Sequence, residues 1–368
     1  MPCVGTLRIS GYDEDLVITV KDIARRAGVS LGTVDRVLHN RGKVAPDTEA
    51  RVREAVKSLS YTPNIHARNL SQGRVFVITV LIPQLESDGG YWAEPYRGIQ
   101  RAFARLNMSN LEVRTSFFNR YNEQSFADCL DSIFGACDDV LAPDGLLVAP
   151  VVSIDSQRTL AAHIAQHNIA SVAFDSRLHG TDVPFVGQDP RQGGRVAGRL
   201  ARLMRDGGSS VASVTLGRVD VHLQERANAF REYWAEISSG DIHDLSLLDG
   251  SEEEYRDELV TRLSEIGADL GAVFMTNASA DLLAQAVAII GIRRHIPVRG
   301  YDLLAQNAQL LREGRIDAII SQRPETQGYE AAHMLARHLA FGTDMDAEIL
   351  MPVEIVLPEN VDSFSSDR

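Results

Sequence analysis

Basic side chains that could neutralise phosphate are concentrated in one short stretch of the chain. Residues 18–73 hold ten lysine and arginine residues and five acidic ones, a net charge of +5. Residues 74–368 hold 26 basic and 42 acidic residues, a net charge of −16, and the whole chain of 368 residues carries −13. A small basic segment beside a large acidic one predicts a nucleic acid contact confined to residues 18–73.

Sequence motifs typical of enzymes are absent. The first apolar run of the acidic segment, 75–82, is followed by Pro83 and not by the glycine-rich turn of a dinucleotide-binding fold. No phosphate-binding loop ending in Gly-Lys-Ser/Thr, no Gly-x-Ser-x-Gly and no His-Glu-x-x-His occurs. The three cysteines, Cys3, Cys129 and Cys137, are odd in number and lack metal-ligand spacing, so neither a disulfide framework nor a zinc site is expected. We therefore expect no catalysis, no cofactor and no metal.

Residues 20–59 have the apolar spacing of three short helices. Gly28 is expected to end the first helix, because glycine tolerates a positive φ, and Ser30 is placed to cap a second helix over 31–38. A third helix is expected after Pro46, since proline is favoured in the first helical turn. Two short helices joined by a glycine turn are typical of a helix-turn-helix.

The local sequence is more specific than this helix spacing. Four stretches resemble the lactose-repressor (LacI) family of bacterial transcriptional regulators: VKDIARRAGVS from Val20, TVDRVL from Thr33, YTPN from Tyr61 and ARNL from Ala67. The resemblance covers about 55 residues without a gap. It implies a homodimer that binds a palindromic operator in double-stranded DNA.

The resemblance also assigns DNA contacts to the second predicted helix. Leu31, Gly32 and Arg36 would face base edges in the major groove, with Arg36 placed for a bidentate contact to guanine. Ser30 and Thr33 would contact phosphates, which fixes the register of the protein on DNA without reading sequence.

Residues 64–73 are predicted to form a hinge helix that is too short to be stable alone. Asn64 follows Pro63 as a helix cap. By resemblance, Ala67 and Leu70 contact the minor groove, where Leu70 of each subunit wedges into the central base step and kinks the DNA. We expect this helix to fold only on DNA.

From residue 74 onward, short apolar runs alternate with amphipathic segments of helical length. The strand-like runs are 75–82, 111–118, 145–149, 171–174, 211–216, 272–275, 297–300 and 317–320. The helical segments include 94–106, 155–167, 190–205, 222–237 and 278–290. This alternation predicts parallel sheets covered by helices, and nearly 300 residues of it imply two lobes. Ligands of such sheets bind at the carboxyl ends of the strands.

Short segments at these strand ends resemble, in order and spacing, the segments that line the ligand in two-lobed periplasmic sugar-binding proteins. They are Tyr91-Trp92, Phe174-Asp175, Glu225-Arg226, Thr276-Asn277, Gly300-Tyr301-Asp302 and Ser321-Gln322. The resemblance implies that Tyr91 and Trp92 form aromatic platforms for a sugar ring and that Arg226 lies in the site. It also implies a set of hydroxyl-binding carboxylates and amides, which supply acceptors and donors: Asp175, Asn277, Asp302 and Gln322.

Two positions depart from the pattern of the sugar-binding proteins, which commonly carry arginine where this chain has Ser176 and Gln224. Four nearby basic residues could replace those arginines: Arg177, Arg218, His222 and Arg323. The ligand is therefore open between a modified sugar, a polyol, a sugar acid and a plain hexose.

These patterns predict an N-terminal all-α helix-turn-helix head and an α/β body of two Rossmann-like lobes, similar to periplasmic binding proteins. The expected segments are an N-terminal extension (1–17), the helix-turn-helix domain (18–63), the hinge helix (64–73) and the effector-binding and dimerisation domain (74–368). The predicted function is repression of transcription under control of a carbohydrate-like effector. The alternatives are a transport-type sugar-binding protein and an effector-independent DNA-binding dimer.

The sequence also bears on where such a protein resides. No apolar run approaches the roughly 20 residues of a membrane span. Asp13, Glu14 and Asp15 occupy the place where a secretory signal has a basic start and an apolar core. We therefore expect a cytoplasmic protein with no membrane partner.

Overall fold

The structure is a computed structural model that describes most of the chain. The described residues are 20–38, 44–59, 74–106, 108, 110–135, 142–218, 220–248 and 250–365. The chain divides into two compact units, Met1–Gln72 and Gly73–Arg368. The predicted extension over 1–17 and the predicted hinge helix over 64–73 lie outside the described residues, so those boundaries stay predictions.

The described part of the first unit forms three helices at the predicted positions: α1 (Val20–Ala27), α2 (Leu31–Leu38) and α3 (Pro46–Ser58). Gly28 has a φ of +66°, a left-handed conformation that glycine adopts without steric cost. Ser30 Oγ accepts a hydrogen bond from the Thr33 N–H at 3.3 Å at the start of α2. The glycine turn and the serine cap are therefore confirmed.

The three helices enclose a small apolar core of buried residues: Ile23, Ala24, Ala27, Val34, Val37, Val52 and Ala55. Fully burying an aliphatic side chain stabilises a fold by about 1.5–3 kcal/mol relative to leaving it exposed. Leu31 gains little of this, because 47% of its surface is exposed at the start of α2. An exposed leucine at the first turn of the helix predicted to read DNA is available for an apolar contact outside the unit.

The described part of the second unit is built from twelve strands. They are β1 (Phe76–Pro83), β2 (Leu111–Phe118), β3 (Gly145–Val148), β4 (Ala170–Asp175), β5 (Phe185–Gly187), β6 (Ser210–Leu216), β7 (Ile242–Leu247), β8 (Leu270–Met275), β9 (Val298–Tyr301), β10 (Ala318–Ser321), β11 (Glu348–Leu350) and β12 (Glu354–Val356).

Helices alternate with these strands along the chain. They are α4 (Ala93–Leu106), α5 (Glu123–Phe134), α6 (Ile154–His167), α7 (Pro190–Met204), α8 (Val221–Ile237), α9 (Glu252–Ile266), α10 (Ala280–Ile289), α11 (Ala305–Arg312), α12 (Pro324–Phe341) and α13 (Val361–Ser365).

The strands form two sheets of six. In the first sheet the order is β11-β5-β4-β3-β1-β2, and every neighbouring pair is parallel. In the second sheet the order is β12-β10-β9-β8-β6-β7, and β12 runs antiparallel to β10. We call the first sheet with its helices the first lobe (residues 76–187 and 324–350) and the second sheet with its helices the second lobe (residues 190–321 and 354–365).

Each sheet has a cluster of buried apolar residues on either face. On β1, Ile78, Val80 and Ile82 belong to one cluster and Leu81 to the other, which follows the period of two of a β-strand. Because helices cover both faces, such a strand is apolar along its whole length. This burial is why the strands of the body stand out in the sequence as continuous apolar runs.

The chain passes between the lobes three times, at 188–189, 322–323 and 351–353. Gln188 lies on the first of these segments and its Nε2 donates to the carbonyl oxygens of Ser321, at 3.2 Å, and Pro352, at 3.1 Å. One buried side chain therefore ties the three connecting segments together. The segments form the hinge between the lobes.

All the predicted strands and helices of the body are found within two residues of their predicted bounds. The sequence prediction did not name five of the helices, α5, α9, α11, α12 and α13, or four strands. Those strands are β5, β7, β11 and β12, and three of them are only three residues long. The two-lobed α/β fold is confirmed.

Gly194 on α7 lies where the backbone of α8 approaches most closely. A Cβ atom at this position would lie 2.2 Å from the carbonyl oxygen of Arg226 and 3.0 Å from the Cβ of Ala229. A methyl group therefore requires α7 and α8 to separate, and α8 carries Arg226 toward the space between the lobes.

Gly194→Ala is expected to lower the free energy of unfolding by about 1–3 kcal/mol, the usual cost of overpacking a filled core. Urea unfolding followed by circular dichroism measures it. Gln192→Ala, at an exposed position of the same helix, is the control and should leave the midpoint nearly unchanged. Equal midpoints for the two variants would show that the helices can separate at no cost.

Candidate functional site

Side chains from both lobes meet between the carboxyl ends of the parallel strands. Asp175 ends β4 of the first lobe, while Asp302 directly follows β9 of the second lobe. Gln322 follows β10, on the second hinge segment. Three of the predicted residues are thus brought together by the strand ends alone, because the strands of each parallel sheet end at one edge.

Five of the seven predicted effector-binding residues form one continuous hydrogen-bonded network. Tyr91 Oη donates to Asp175 Oδ1 at 2.6 Å, and Gln322 Nε2 lies 3.1 Å from both Tyr91 Oη and Asp302 Oδ2. Arg226 Nη2 donates to Gln322 Oε1 at 3.4 Å. All five side chains are buried. The network therefore joins the first lobe, through Tyr91 and Asp175, to the second lobe.

The backbone is strained where the cleft carboxylates lie. Asp175 has a φ of +69°, Asp302 of +62° and Asp88 of +54°. Among the described residues these are three of the five non-glycine positions with positive φ. Such conformations cost about 1–3 kcal/mol each and tend to occur at functional sites. The strained aspartates therefore mark this cleft independently of the sequence resemblance.

Asn307, on α11, holds the loop that carries Asp302. Its Nδ2 donates to the carbonyl oxygens of Asp302, at 2.9 Å, and Ala278, at 2.7 Å, and its Oδ1 accepts from the Asp281 N–H at 3.0 Å. The side chain is fully buried. Asn307 therefore fixes two strand-end loops of the second lobe relative to each other, and the sequence prediction missed it.

Arg226 is held in the second lobe by its aromatic and carbonyl neighbours. Its guanidinium lies 3.4 Å from the centre of the Tyr301 ring, and Nη1 donates to the carbonyl oxygen of Thr276. Nε has no hydrogen-bond partner among the described residues. The geometry presents a buried cation to the cleft without an ion pair.

The other two predicted residues, Trp92 and Asn277, lie outside this network. Trp92 is 1% exposed, packs edge-on against Tyr91 and donates its indole N–H to Asp88 Oδ2 at 2.8 Å. Asn277 donates to the carbonyl oxygen of Leu216 at 2.8 Å, and its Oδ1 has no partner among the described residues. The predicted platform role of Trp92 and the hydroxyl contact of Asn277 stay predictions.

Arg120, which sequence reasoning did not single out, bridges the lobes. Its Nη1 donates to Asp88 Oδ2 of the first lobe and its Nη2 to Asp220 Oδ2 of the second lobe, both at 2.6 Å. Arg120 is buried, and Asp220 also caps α8 by accepting from the Leu223 N–H. Removing one partner of a buried ion pair commonly costs 3–5 kcal/mol. The strand-end rule, applied to the predicted strand 111–118, would have identified this arginine.

Of the four basic residues offered as replacements for the missing arginines, one contacts this cluster. His222 Nδ1 lies 2.8 Å from Asp220 Oδ1, although the N–H is not aligned for a hydrogen bond. Arg177 pairs with Glu348 and Arg323 pairs with Glu354. Arg218 lines a separate cavity of about 380 Å³ beside Asn277.

Burial sets the ionisation of the cleft carboxylates. Burial, together with the nearby charge of Asp175, raises the pKa of Asp302 to about 7, although Arg226 and the Gln322 hydrogen bond favour the ionised form. Burial also raises the pKa of Asp220, but His222, Arg120 and the Leu223 N–H outweigh it and hold that pKa well below its usual range. Burial beside Asp175 and Asp302 raises the pKa of Tyr91 well above its usual value.

The predicted DNA contacts of the first unit cluster at the start of α2. Ser30, Leu31, Gly32 and Arg36 are exposed and Thr33 is half-buried. Ser30 Oγ and Thr33 Oγ1 lie 3.0 Å apart, and Arg36 Nε donates to the carbonyl oxygen of Gly32 at 3.1 Å. The other predicted DNA contacts lie outside the described residues: Asn64, Ala67 and Leu70.

No group of three or more histidine, cysteine, aspartate or glutamate side chains among the described residues is arranged to hold a metal ion. No helix in the described part of the chain is both long enough and apolar enough to cross a membrane.

Comparison with known proteins finds two families in this chain. Residues 78–344 match the periplasmic binding protein domain, and residues 19–64 match the lacI family of bacterial regulatory proteins. The helix-turn-helix resemblance and the two-lobed body expected from the sequence are thereby confirmed.

Curated relatives are helix-turn-helix transcriptional regulators. YkvZ of Bacillus subtilis, an uncharacterized one, is 43% identical over 105 residues, 27% of this chain and 32% of its own length. DegA of Bacillus subtilis is 23% identical over 296 residues, 79% of this chain and 83% of its own length. This chain spans about a third or less of the length of the relatives that match it with 36–43% identity.

Solved structures share the fold of the body. A structure assigned to a LacI transcriptional regulator of Bacteroides fragilis has a TM-score of 0.68 at 22% identity, covering 79% of this chain and 99% of its own. A solute-binding protein of Agrobacterium vitis, bound to α-D-tagatopyranose, has a TM-score of 0.67 at 20% identity, covering 80% and 98%.

Asp302→Asn should remove a pH dependence of stability. Between the unfolded pKa of about 3.9 and the folded pKa of about 7, the unfolded chain loses the Asp302 proton first. The free energy of unfolding of the wild type should therefore fall as pH rises through this window, by up to about 4 kcal/mol. Above pH 7 this contribution stays constant.

Urea unfolding at pH 4.5 to 8 measures the effect. The difference in unfolding free energy between Asp302→Asn and wild type should change across this window and level off above pH 7. Asp182→Asn, at an exposed carboxylate, is the control and should keep the wild-type slope. Parallel curves for wild type and Asp302→Asn would refute the raised pKa.

Proposed function

Because the chain belongs to the periplasmic binding protein domain family and carries a lacI-family head, we propose that it is a DNA-binding transcriptional regulator controlled by a small effector. The head would bind a palindromic operator as a homodimer, and the body would bind a sugar or polyol between its lobes. Such a protein acts in the cytoplasm, catalyses no reaction and most often represses its target genes.

The observation that carries the proposal is the presence, in one chain, of an intact helix-turn-helix unit and an intact interlobe network. The network of Tyr91, Asp175, Arg226, Asp302 and Gln322 supplies acceptors and donors at buried positions between the lobes, which suits a polyhydroxylated ligand. The Agrobacterium vitis protein with the same fold binds a sugar. These features support the carbohydrate-like effector.

Effector control follows from the geometry of the three segments that connect the lobes. A ligand that contacts both lobes favours the closed arrangement over the open one, and its differential affinity is all that can shift the equilibrium. The coupling to DNA is reciprocal, so an effector that weakens operator binding must itself bind less tightly to the operator complex. We propose the hinge helix over 64–73, with Leu70 as a minor-groove wedge, as the element that transmits this change.

Measurements of sugar binding and DNA binding distinguish this function from two others. A transport-type sugar-binding protein would bind the sugar but select no DNA sequence. An effector-independent DNA-binding dimer would select an operator but show no change with any ligand. Selection of duplexes from a random pool by the full chain, followed by sedimentation of the complex, tests DNA binding and the dimer together.

Arg36→Ala should lose about 1–3 kcal/mol of discrimination between the selected operator and random DNA, because a bidentate guanine contact is removed. Gel-shift titration of both duplexes at fixed salt measures it. Arg53→Ala is the control, since the Arg53 guanidinium pairs with Glu49 on α3, and its discrimination should stay unchanged. Equal discrimination by Arg36→Ala and wild type would refute the assignment of α2 as the reading helix.

Asp302→Ala should bind operator normally yet fail to respond to effector. Loss of a charged hydrogen-bond partner for a buried ligand group costs roughly 1.5–3 kcal/mol, about 10- to 150-fold in affinity. A thermal-shift screen of sugars and polyols identifies the effector, because a bound ligand raises stability. Asp182→Ala is the control, and an unchanged response of Asp302→Ala at limiting ligand would contradict the placement of the site.

A further inference from the structure

The centre of the cleft holds more negative than positive charge. Four carboxylates lie there, Asp88, Asp175, Asp220 and Asp302, against the two guanidinium groups of Arg120 and Arg226 and the imidazole of His222. The cleft therefore has fewer cationic side chains than anionic ones.

The two guanidinium groups do not neutralise the four carboxylates to the same extent. Both Nη atoms of Arg120 donate to carboxylates, Nη1 to Asp88 and Nη2 to Asp220. Arg226 donates to a carbonyl oxygen and to an amide oxygen, and it stacks on an aromatic ring. No lysine, arginine or histidine side chain among the described residues forms an ion pair with Asp175 or Asp302.

Asp302 offers an unused acceptor at this point. Its Oδ2 accepts from Gln322, but its Oδ1 has no hydrogen-bond partner among the described residues, although the residue is only 3% exposed. A buried carboxylate oxygen without a donor costs about 1–3 kcal/mol or more. The nearby Asp175 carboxylate accepts one hydrogen bond, from Tyr91. Burial, together with the charge of Asp175, raises the pKa of Asp302.

Two cavities that border this cluster are lined by more carboxylates than cations. A cavity of about 470 Å³ between the lobes, next to Asp175, is lined by five carboxylates, two arginines and two histidines, and both arginines are paired with glutamates. The cavity of about 380 Å³ on the Asn277 side is lined by three carboxylates and one arginine. A cleft lined by one sign of charge concentrates ligands of the opposite sign.

We propose that the effector is a polyhydroxylated compound that carries one protonated amino group, and that this ammonium group lies against Asp302 and Asp175. The inference rests on the proposed function, because it names the chemical class of ligand for the same cleft. An ammonium group supplies three donors and a positive charge, whereas a carboxylate is an acceptor only. A sugar acid would add a further negative charge beside Asp302 and Asp175, so sugar acids are excluded as effectors.

The test compares ligands that share one carbon skeleton and differ in charge. Isothermal titration of the full chain would use three hexoses, glucose, galactose and mannose, with their 2-amino derivatives, their uronates and the N-acetylated amines. The amines are measured at a pH where they are protonated. The N-acetyl compounds keep the substituent at the same carbon but remove its charge.

For the skeleton that binds best, the amine should bind at least about tenfold tighter than the neutral parent and the N-acetyl compound, and the uronate should bind weakest. Asp302→Asn and Asp175→Asn should reduce this preference for the amine to less than twofold, while Asp182→Asn keeps it. Circular dichroism and thermal midpoints establish that each variant is folded.

The inference is overturned if a neutral sugar or a uronate binds as tightly as the amine, if Asp302→Asn keeps the preference, or if no amine in the panel binds. The first two results leave the proposed function intact, because a sugar would still bind in the cleft. If no amine in the panel binds, operator selection by the same preparation separates two cases. Operator binding without any sugar binding refutes the proposed ammonium contact, whereas the loss of operator binding and sugar binding together refutes the proposed function.

Discussion

Burial of charge between two separately folded lobes is the constraint on which the rest of the body depends. Arg120 can satisfy its two Nη atoms only when Asp88 of the first lobe and Asp220 of the second lobe are both in reach. Desolvating these groups costs several kcal/mol per ion, and the attraction between the opposite charges offsets this cost only when the geometry is good. The net contribution of these ion pairs to the contact between the lobes is therefore a small difference between two large terms.

Such a balance is useful only if each lobe stays rigid while the angle between the lobes changes. The fold meets this requirement with buried amides that bond to the backbone. Asn307 fixes the strand-end loops of the second lobe, and Gln188 ties the three hinge segments to one another. Because both side chains donate to backbone carbonyls, they constrain the main chain and not merely its side chains. The strain at Asp302 persists because Asn307 holds the carbonyl oxygen of this residue.

The fold could be predicted from the sequence because the strands of the body are buried on both faces. β8 contains no polar side chain and β1 contains only one, Thr79, whereas the edge strand β7 carries His243, Asp244 and Ser246 among its apolar residues and was missed. The short strands β11 and β12 pair with strands far away in the sequence, at the edges of the two sheets. Pairing over such separations leaves no local pattern.

The candidate site was predictable to the extent that strand ends define it. Asp175, Asp302 and Gln322 follow apolar runs directly, so their meeting depends on topology alone. Arg120 also follows a predicted strand, so its place near the cleft was predictable, but its two partners, 32 and 100 residues away, were not. Trp92 shows the converse, since its type suggested a ligand platform, yet its indole is buried behind Tyr91 and donates to Asp88. Residue type and spacing identify which side chains reach a cleft, but the balance of charge within it emerges only when the partners of every group are known.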